Sequence, residues 1–193
     1  MTRLQADADA ARWVAVTGSL GLRGRRHRKA AIRAVLQSGG AGAGRGTGAM
    51  AWALSQATPF LMRRAGGRLL VWVWKDEPEL VVVTAQLQDM TPQLRASRAM
   101  MPMEYDDTED FRSPHLGVGE KLVLDDPSDA SRPPTAMYTW DTGAHLVSVT
   151  AVGIDPLRLR TLIGPIEDLA RTVRIVDDLR VAEASGVLRL DPA

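Results

Sequence analysis

The segment "TAMYTWDTGAHLVSVTAVG", Thr135 to Gly153, constrains the fold more than any other stretch of the chain. Residue type alternates along it. Tyr138 and Trp140 lie on one side and Met137 and Thr139 on the other, then Val147, Val149 and Ala151 against Leu146, Ser148 and Thr150. Successive side chains of a strand point to opposite faces, so period two marks an extended chain with one face buried. Thr142-Gly143 between the two runs supplies a tight turn. Strands joined this closely pair antiparallel, and their apolar face needs a cover.

The same pattern recurs upstream. "RLLVWVW" from Arg68 and "LVVVTAQLQ" from Leu80 are rich in β-branched and aromatic residues and flank "KDEPE", a polar turn carrying Pro78. They read as a second hairpin. "GEKLVLDD", Gly119 to Asp126, reads as a further strand. Two helices complete the pattern. "TPQLRASRAMM" opens with Thr91 as N-cap and Pro92 at the first helical position, and Pro102 limits it. "DPLRLRTLIGPIEDLARTVRIV" repeats the device with Asp155 and Pro156. Its Leu159, Leu162, Ile163, Ile166, Leu169, Ala170 and Val173 form one apolar face. Gly164-Pro165 is expected to kink this helix or divide it in two. The expected fold is α+β: an antiparallel sheet of about five strands packed against two helices, with a basic helical N-terminal extension. Trp72 and Trp74 share a face, as do Tyr138 and Trp140, which suits a core better than a ligand cage. Met90, Met100, Met101 and Met103 likewise read as core filling rather than an adaptable groove.

The first third of the chain follows different rules. Residues 4–16 suggest a short helix, or a helix running into a strand. "RRHRKAAIRAVLQ" reads as an amphipathic helix, with Ala31, Ile32, Val35 and Leu36 on one face and Arg26, Lys29 and Arg33 on another. Gly39 follows as its stop signal. "SGGAGAGRGTGAM" contains a nominal GxGxxA at Gly44, Gly46 and Ala49. It follows a basic helix rather than a buried strand and lacks the lysine of a phosphate loop, so it reads as a linker. "AMAWALSQATPFLMRRAGG" is a second helical candidate. The domain scheme is an extension over 1–67, an α+β sandwich over 68–178 and a tail over 179–193.

Charge divides along the same line. Residues 1–75 carry 13 Lys+Arg against Asp7 and Asp9, and residues 76–193 carry 11 against 21 acids, so a formal net charge of +1 conceals two opposed halves. Such asymmetry points to an electrostatic partner for each half. Arg23, Arg25, Arg26, Arg28, Lys29 and Arg33 form the basic candidate site, able to meet an acidic protein surface or a phosphate backbone. The stretch from Gly18 to Gly48 has no aromatic residue for stacking on bases. The acidic counterpart is "EYDDTED", with Glu104, Asp106, Asp107, Glu109 and Asp110, which reads as a surface loop. It lacks the central glycine and terminal glutamate of a calcium loop.

Chemistry beyond binding finds little footing. The chain has no cysteine and only three histidines, His27, His115 and His145, widely spaced, so no cofactor or metal is expected. His145 and Ser148 are three apart on one strand and point to opposite faces, which argues against a triad with Asp141. Arginine outnumbers lysine 21 to 3, as GC-rich bacterial coding would give. The N-terminal stretch has no secretory pattern, and the apolar runs are too short to cross a bilayer, so a cytoplasmic protein without membrane insertion is expected.

Residues 68–178 resemble the PsbP-like fold, the group that includes small LpqN-type actinobacterial proteins. The resemblance is carried by the helix "TPQLRASRAMM" after a hairpin, the closing hairpin "AMYTWDTGAHLVSVTAVG" and the terminal amphipathic helix ending in "IEDLARTVRIV". It implies a non-catalytic adaptor or partner-binding domain and carries over no site residue. The expected function is therefore a protein-interaction or adaptor domain, not an enzyme, whose basic helix docks on an acidic surface in cis or in a partner, including by self-association. Nucleic-acid binding through the same arginines is the alternative. A small-molecule pocket between sheet and helices is a second alternative.

Overall fold

Each strand of an alternating sequence can bury one row of side chains and turn the other outward, and here that rule builds a broad sheet. A computed structural model of the chain describes residues 2–16, 66–100, 108–125 and 133–177. Its strands are β1 (Thr2–Gln5), β2 (Trp13–Ala15), β3 (Leu69–Trp74), β4 (Val81–Asp89), β5 (Glu109–Ser113), β6 (Gly117–Leu124), β7 (Thr135–Asp141), β8 (His145–Gly153) and β9 (Arg174–Asp177). Its helices are α1 (Pro92–Met100) and α2 (Pro156–Thr172). Seven strands form one sheet in the order β2-β3-β4-β8-β7-β6-β5, with every neighbouring pair antiparallel. β1 and β9 form a separate two-stranded ribbon.

The fold is α+β as expected, but the sheet exceeds the expected five strands. β2 comes from the end of a stretch expected as a short helix or a helix running into a strand. "WVAV" alternates, and Trp13, Val14 and Ala15 pair with Trp74, Val73 and Trp72. The polar run before it makes a turn instead of a helix, with Asp9 Oδ1 accepting from the Ala11 N–H at 2.8 Å. β5 lies within the expected acidic loop. One buried aromatic, Phe111, and the pairing with β6 outweigh its polar composition. The stretch expected as the basic helix lies outside the described residues.

Only α2 covers the sheet among the described helices. Leu159, Leu162, Ile166, Leu169 and Ala170 are buried. Asp155 caps its start, its Oδ1 accepting from the Arg158 N–H at 2.8 Å. The helix is not divided at Gly164-Pro165. It runs continuously with Pro165 inside it, and buried Leu162 and Ile166 flank that position. Packing of an apolar face holds a helix where propensity is poor. α1 is capped by Thr91 as expected, its Oγ1 accepting from the Leu94 N–H at 3.1 Å. Of its residues 92–97, Pro92, Gln93, Arg95, Ala96 and Ser97 are exposed and Leu94 is half-buried.

The core lies between α2, the β1–β9 ribbon and the inner face of the sheet. Trp72, Val83, Ala85, Tyr138, Trp140, Val147 and Val149 supply the sheet side, and Leu4 comes from the ribbon. Phe111 pairs with Gly119, and Trp140, Val147 and Leu87 align in an inner row beside them. Phe111 stacks obliquely on Tyr138 and Trp140, with ring centroids 4.7 and 5.8 Å apart. Gly119 makes room for this arrangement. A Cβ there would collide with the Thr139 carbonyl and lie 2.5 Å from the Trp140 ring.

Candidate interaction surface

The six basic candidates from Arg23 to Arg33 lie outside the described residues, as do Glu104, Asp106 and Asp107. Glu109 and Asp110 are neighbours on β5 and therefore face opposite sides of the sheet. Glu109 turns inward, where Lys121 Nζ donates to its Oε2 at 3.2 Å. Asp110 points to the outer face. Within the described residues the acidic run is thus shared between two surfaces.

An ionic layer that sequence reasoning missed sits beside the aromatic row. Lys121 occupies an inward position of β6, opposite Tyr138, and reaches Glu167 of α2 at 3.0 Å. Burial alone would lower its pKa, but the hydrogen bonds and charges of Glu167 and Glu109 outweigh this and raise it. Arg171 binds Glu167 one turn back at 3.0 Å and lies over the Phe111 ring at 4.8 Å. Burial pushes the Tyr138 hydroxyl above the usual phenol range, and the Glu167 charge adds to this. The available signal was the lysine in the alternation Gly119, Lys121, Val123.

A second ionic cluster surrounds a cleft of about 300 Å³ between the turn after β1 and the end of α2, lined by residues including Asp7, Asp9, Arg12 and Asp168. Its charges largely satisfy one another. Arg12 reaches Asp9 at 3.4 Å and Asp168 at 3.6 Å, and Arg174 binds Asp7 at 2.6 Å. The Arg174 hydrogen bond holds the Asp7 carboxyl below the usual aspartate range. A lowered aspartate stabilises the fold above its unfolded pKa, and this is lost as pH falls through the folded value. Acid titration followed by circular dichroism is expected to show Asp7→Asn abolishing part of the wild-type acid sensitivity while leaving neutral-pH structure intact. Identical acid profiles would remove this pair from the account.

Among the described residues, His145, Ser148 and Asp141 are not brought together as a triad. His145 Nε2 lies 3.5 Å from Asp89 Oδ1, but Arg68 already binds that oxygen at 2.6 Å. Ser148 faces the other side of the sheet. No group of three His, Asp or Glu among the described residues is placed to hold a metal ion. The space between sheet and α2 is filled by Tyr138, Trp140, Leu159, Ile166 and Leu169. No described helix is long and apolar enough to cross a membrane.

The outer face of the sheet is organised differently. Its register aligns Val14, Val73, Val82, Val152, Thr135 and Leu124 in one row across six strands. The next row holds Val71, Thr84, Thr150, Met137 and Leu122. A third runs from Leu69 through Gln86, Ser148 and Thr139 to Glu120 and Asp110. Polarity therefore rises along the strands, from an apolar edge to an edge ending in carboxylates. Part of the face is open: Met137 is exposed, as is Val118 at 53%. Comparison with protein-family models, with curated proteins and with solved structures gave no match.

Proposed function

We propose that the protein is a non-enzymatic interaction domain whose basic segment, Arg23 to Arg33, docks on an acidic surface in cis or on a partner. The observation that carries this reading is how positive charge is distributed along the sequence. Residues 17–65 contain nine Lys+Arg and no Asp or Glu. In the described fold, by contrast, Arg12, Arg68, Lys121, Arg158, Arg160, Arg171 and Arg174 are each committed to a carboxylate. A graded outer face ending in Glu120 and Asp110 suits an amphipathic basic element. The PsbP-like resemblance belongs to the same proposal, as does a cytoplasmic setting.

The charge-removal variant Arg26→Gln, Lys29→Gln, Arg33→Gln tests it. Its stability or self-association is expected to lose the salt dependence of the wild type, read by urea denaturation and sedimentation across a salt series. Unchanged salt dependence in both would end the docking proposal. The same acid-free segment favours duplex nucleic acid as the second reading. That reading requires affinity at low salt falling with a slope of about −0.9 per neutralised phosphate.

A further inference from the structure

The outer face carries a group of valines that the described elements do not cover. Val73 is 0% exposed, Val82 2%, Val16 3% and Val71 9%. The hydrophobic residues packed around them, among the described residues, are Val14 and Leu69 of the same face. α2 packs on the opposite face, within the other core. A valine on an open sheet face remains partly in water, so full burial requires a second layer. Around this group the face changes character. Thr84 of β4 and Ser148, Thr150 and Val152 of β8 are half-buried, and Gln86 of β4 is exposed. The fully covered area is therefore confined to β2, β3 and the start of β4. Three strands at a spacing of about 4.8 Å place the outer two roughly 10 Å apart, the width of one helix.

We infer that residues 17–65 of the same chain are the missing layer, seated through the apolar stripe Ala31, Ile32, Val35 and Leu36. Chain geometry names this occupant. β2 and β3 are antiparallel neighbours, a pair that ordinarily needs a connection of about two to five residues. Here 49 residues intervene between Val16 and Gly66. One end of the segment is part of the patch, where the Val16 N–H donates to the Val71 carbonyl at 2.8 Å, and at the other Gly66 and Gly67 turn the chain through positive φ angles of 57° and 78° into β3, which begins at Leu69 of the same patch. A segment tethered at both ends beside an apolar patch meets it at high effective concentration. With that stripe on the valines, Arg26, Lys29 and Arg33 fall on another side of the helix. The inference goes beyond the charge-based proposal, because apolar contact alone carries it.

The chain has no cysteine, so Gln37→Cys gives a single attachment point for a nitroxide label, one residue past Leu36. The readout is the valine methyl spectrum of the full chain. Loss of intensity at Val71, Val73 and Val82 is expected when label and labelled methyls share a chain. No loss is expected when spin-labelled chains without isotope are mixed with isotope-labelled chains without the spin label. Loss in the mixed sample, which a contact between copies would give alongside loss in the first, would assign the cover to a second copy, and absence of loss in both would remove the segment from this face. Either result overturns the inference. A thermal midpoint equal to that of the unlabelled chain confirms that the variant folds. In the Arg26→Gln, Lys29→Gln, Arg33→Gln background the loss is expected to persist even if salt dependence does not change. Its disappearance there would make the contact electrostatic and defeat the apolar assignment.

Discussion

Gly119→Ala is expected to destabilise the protein by about 3 kcal/mol, the upper end of what overpacking costs in a packed core. The added methyl has nowhere to go. It points at the Thr139 carbonyl across the β6–β7 ladder and at the Trp140 ring at 2.5 Å, with the indole nitrogen at 2.7 Å. A flexible side chain could yield, but neither of these neighbours can. The carbonyl belongs to the neighbouring strand, and Trp140 is fully buried against Phe111. Relief would require β6 to move away from β7, which strains the pairing from Glu120–Thr139 to Leu124–Thr135. Urea denaturation checks this through the midpoint, with an unchanged m-value showing that stability alone has altered. A midpoint equal to wild type would mean that Trp140 does not lie over Gly119. Gly143→Ala is the instructive comparison: it meets no atom within 4 Å, so its cost comes from the positive φ of 83° alone.

Ile166→Ala is expected to cost about 2–5 kcal/mol, the range for deleting a large aliphatic side chain from a site that cannot collapse. Ile166 is 0% exposed at the middle of α2 and belongs to the main core with Leu162, Leu169 and Ala170. It follows Pro165, which has no N–H to bond to the turn before it. The helix is continuous there because its buried face holds it. Removing that contact at the weakest turn acts on packing and on helix continuity together. Leu157→Ala provides the control. Leu157 is 65% exposed, and a change within about 0.5 kcal/mol is expected. Equal effects of the two substitutions, measured by thermal or urea unfolding, would contradict the position of α2 on the sheet.

Sequence resolved the elements whose evidence is local. The hairpins β3–β4 and β7–β8 have both strands and their turn within about twenty residues, and the caps Thr91 and Asp155 sit one residue before a proline. Trp72, Tyr138 and Trp140 are buried, as their same-face spacing suggested. What escaped depends on distant partners. β2 is three residues long and is stabilised by a strand beginning at Leu69. β5 is acidic apart from Phe111 and Arg112–Ser113, and only its pairing with β6 makes it a strand. The outer-face gradient is invisible in any single strand, because it exists only once the register aligns six of them. The alternation of β6 holds the signal that Lys121 faces inward, but its meaning required Glu167, more than forty residues later in the chain.

The pairing of β1 with β9 sets the order in which the molecule can be completed. Thr2 lies opposite Asp177 and Gln5 opposite Arg174, so almost the whole described chain intervenes between the two members of this ribbon. Closing so long a loop brings a large entropic cost before any contact rewards it, and such topologies fold slowly. On a ribosome the chain emerges from its first residue onward. β1 must then wait without its partner, and Leu4 without its place in the core, until α2 and β9 have been made. β3, β4, β7 and β8 can zip while synthesis continues, whereas the ribbon closes last.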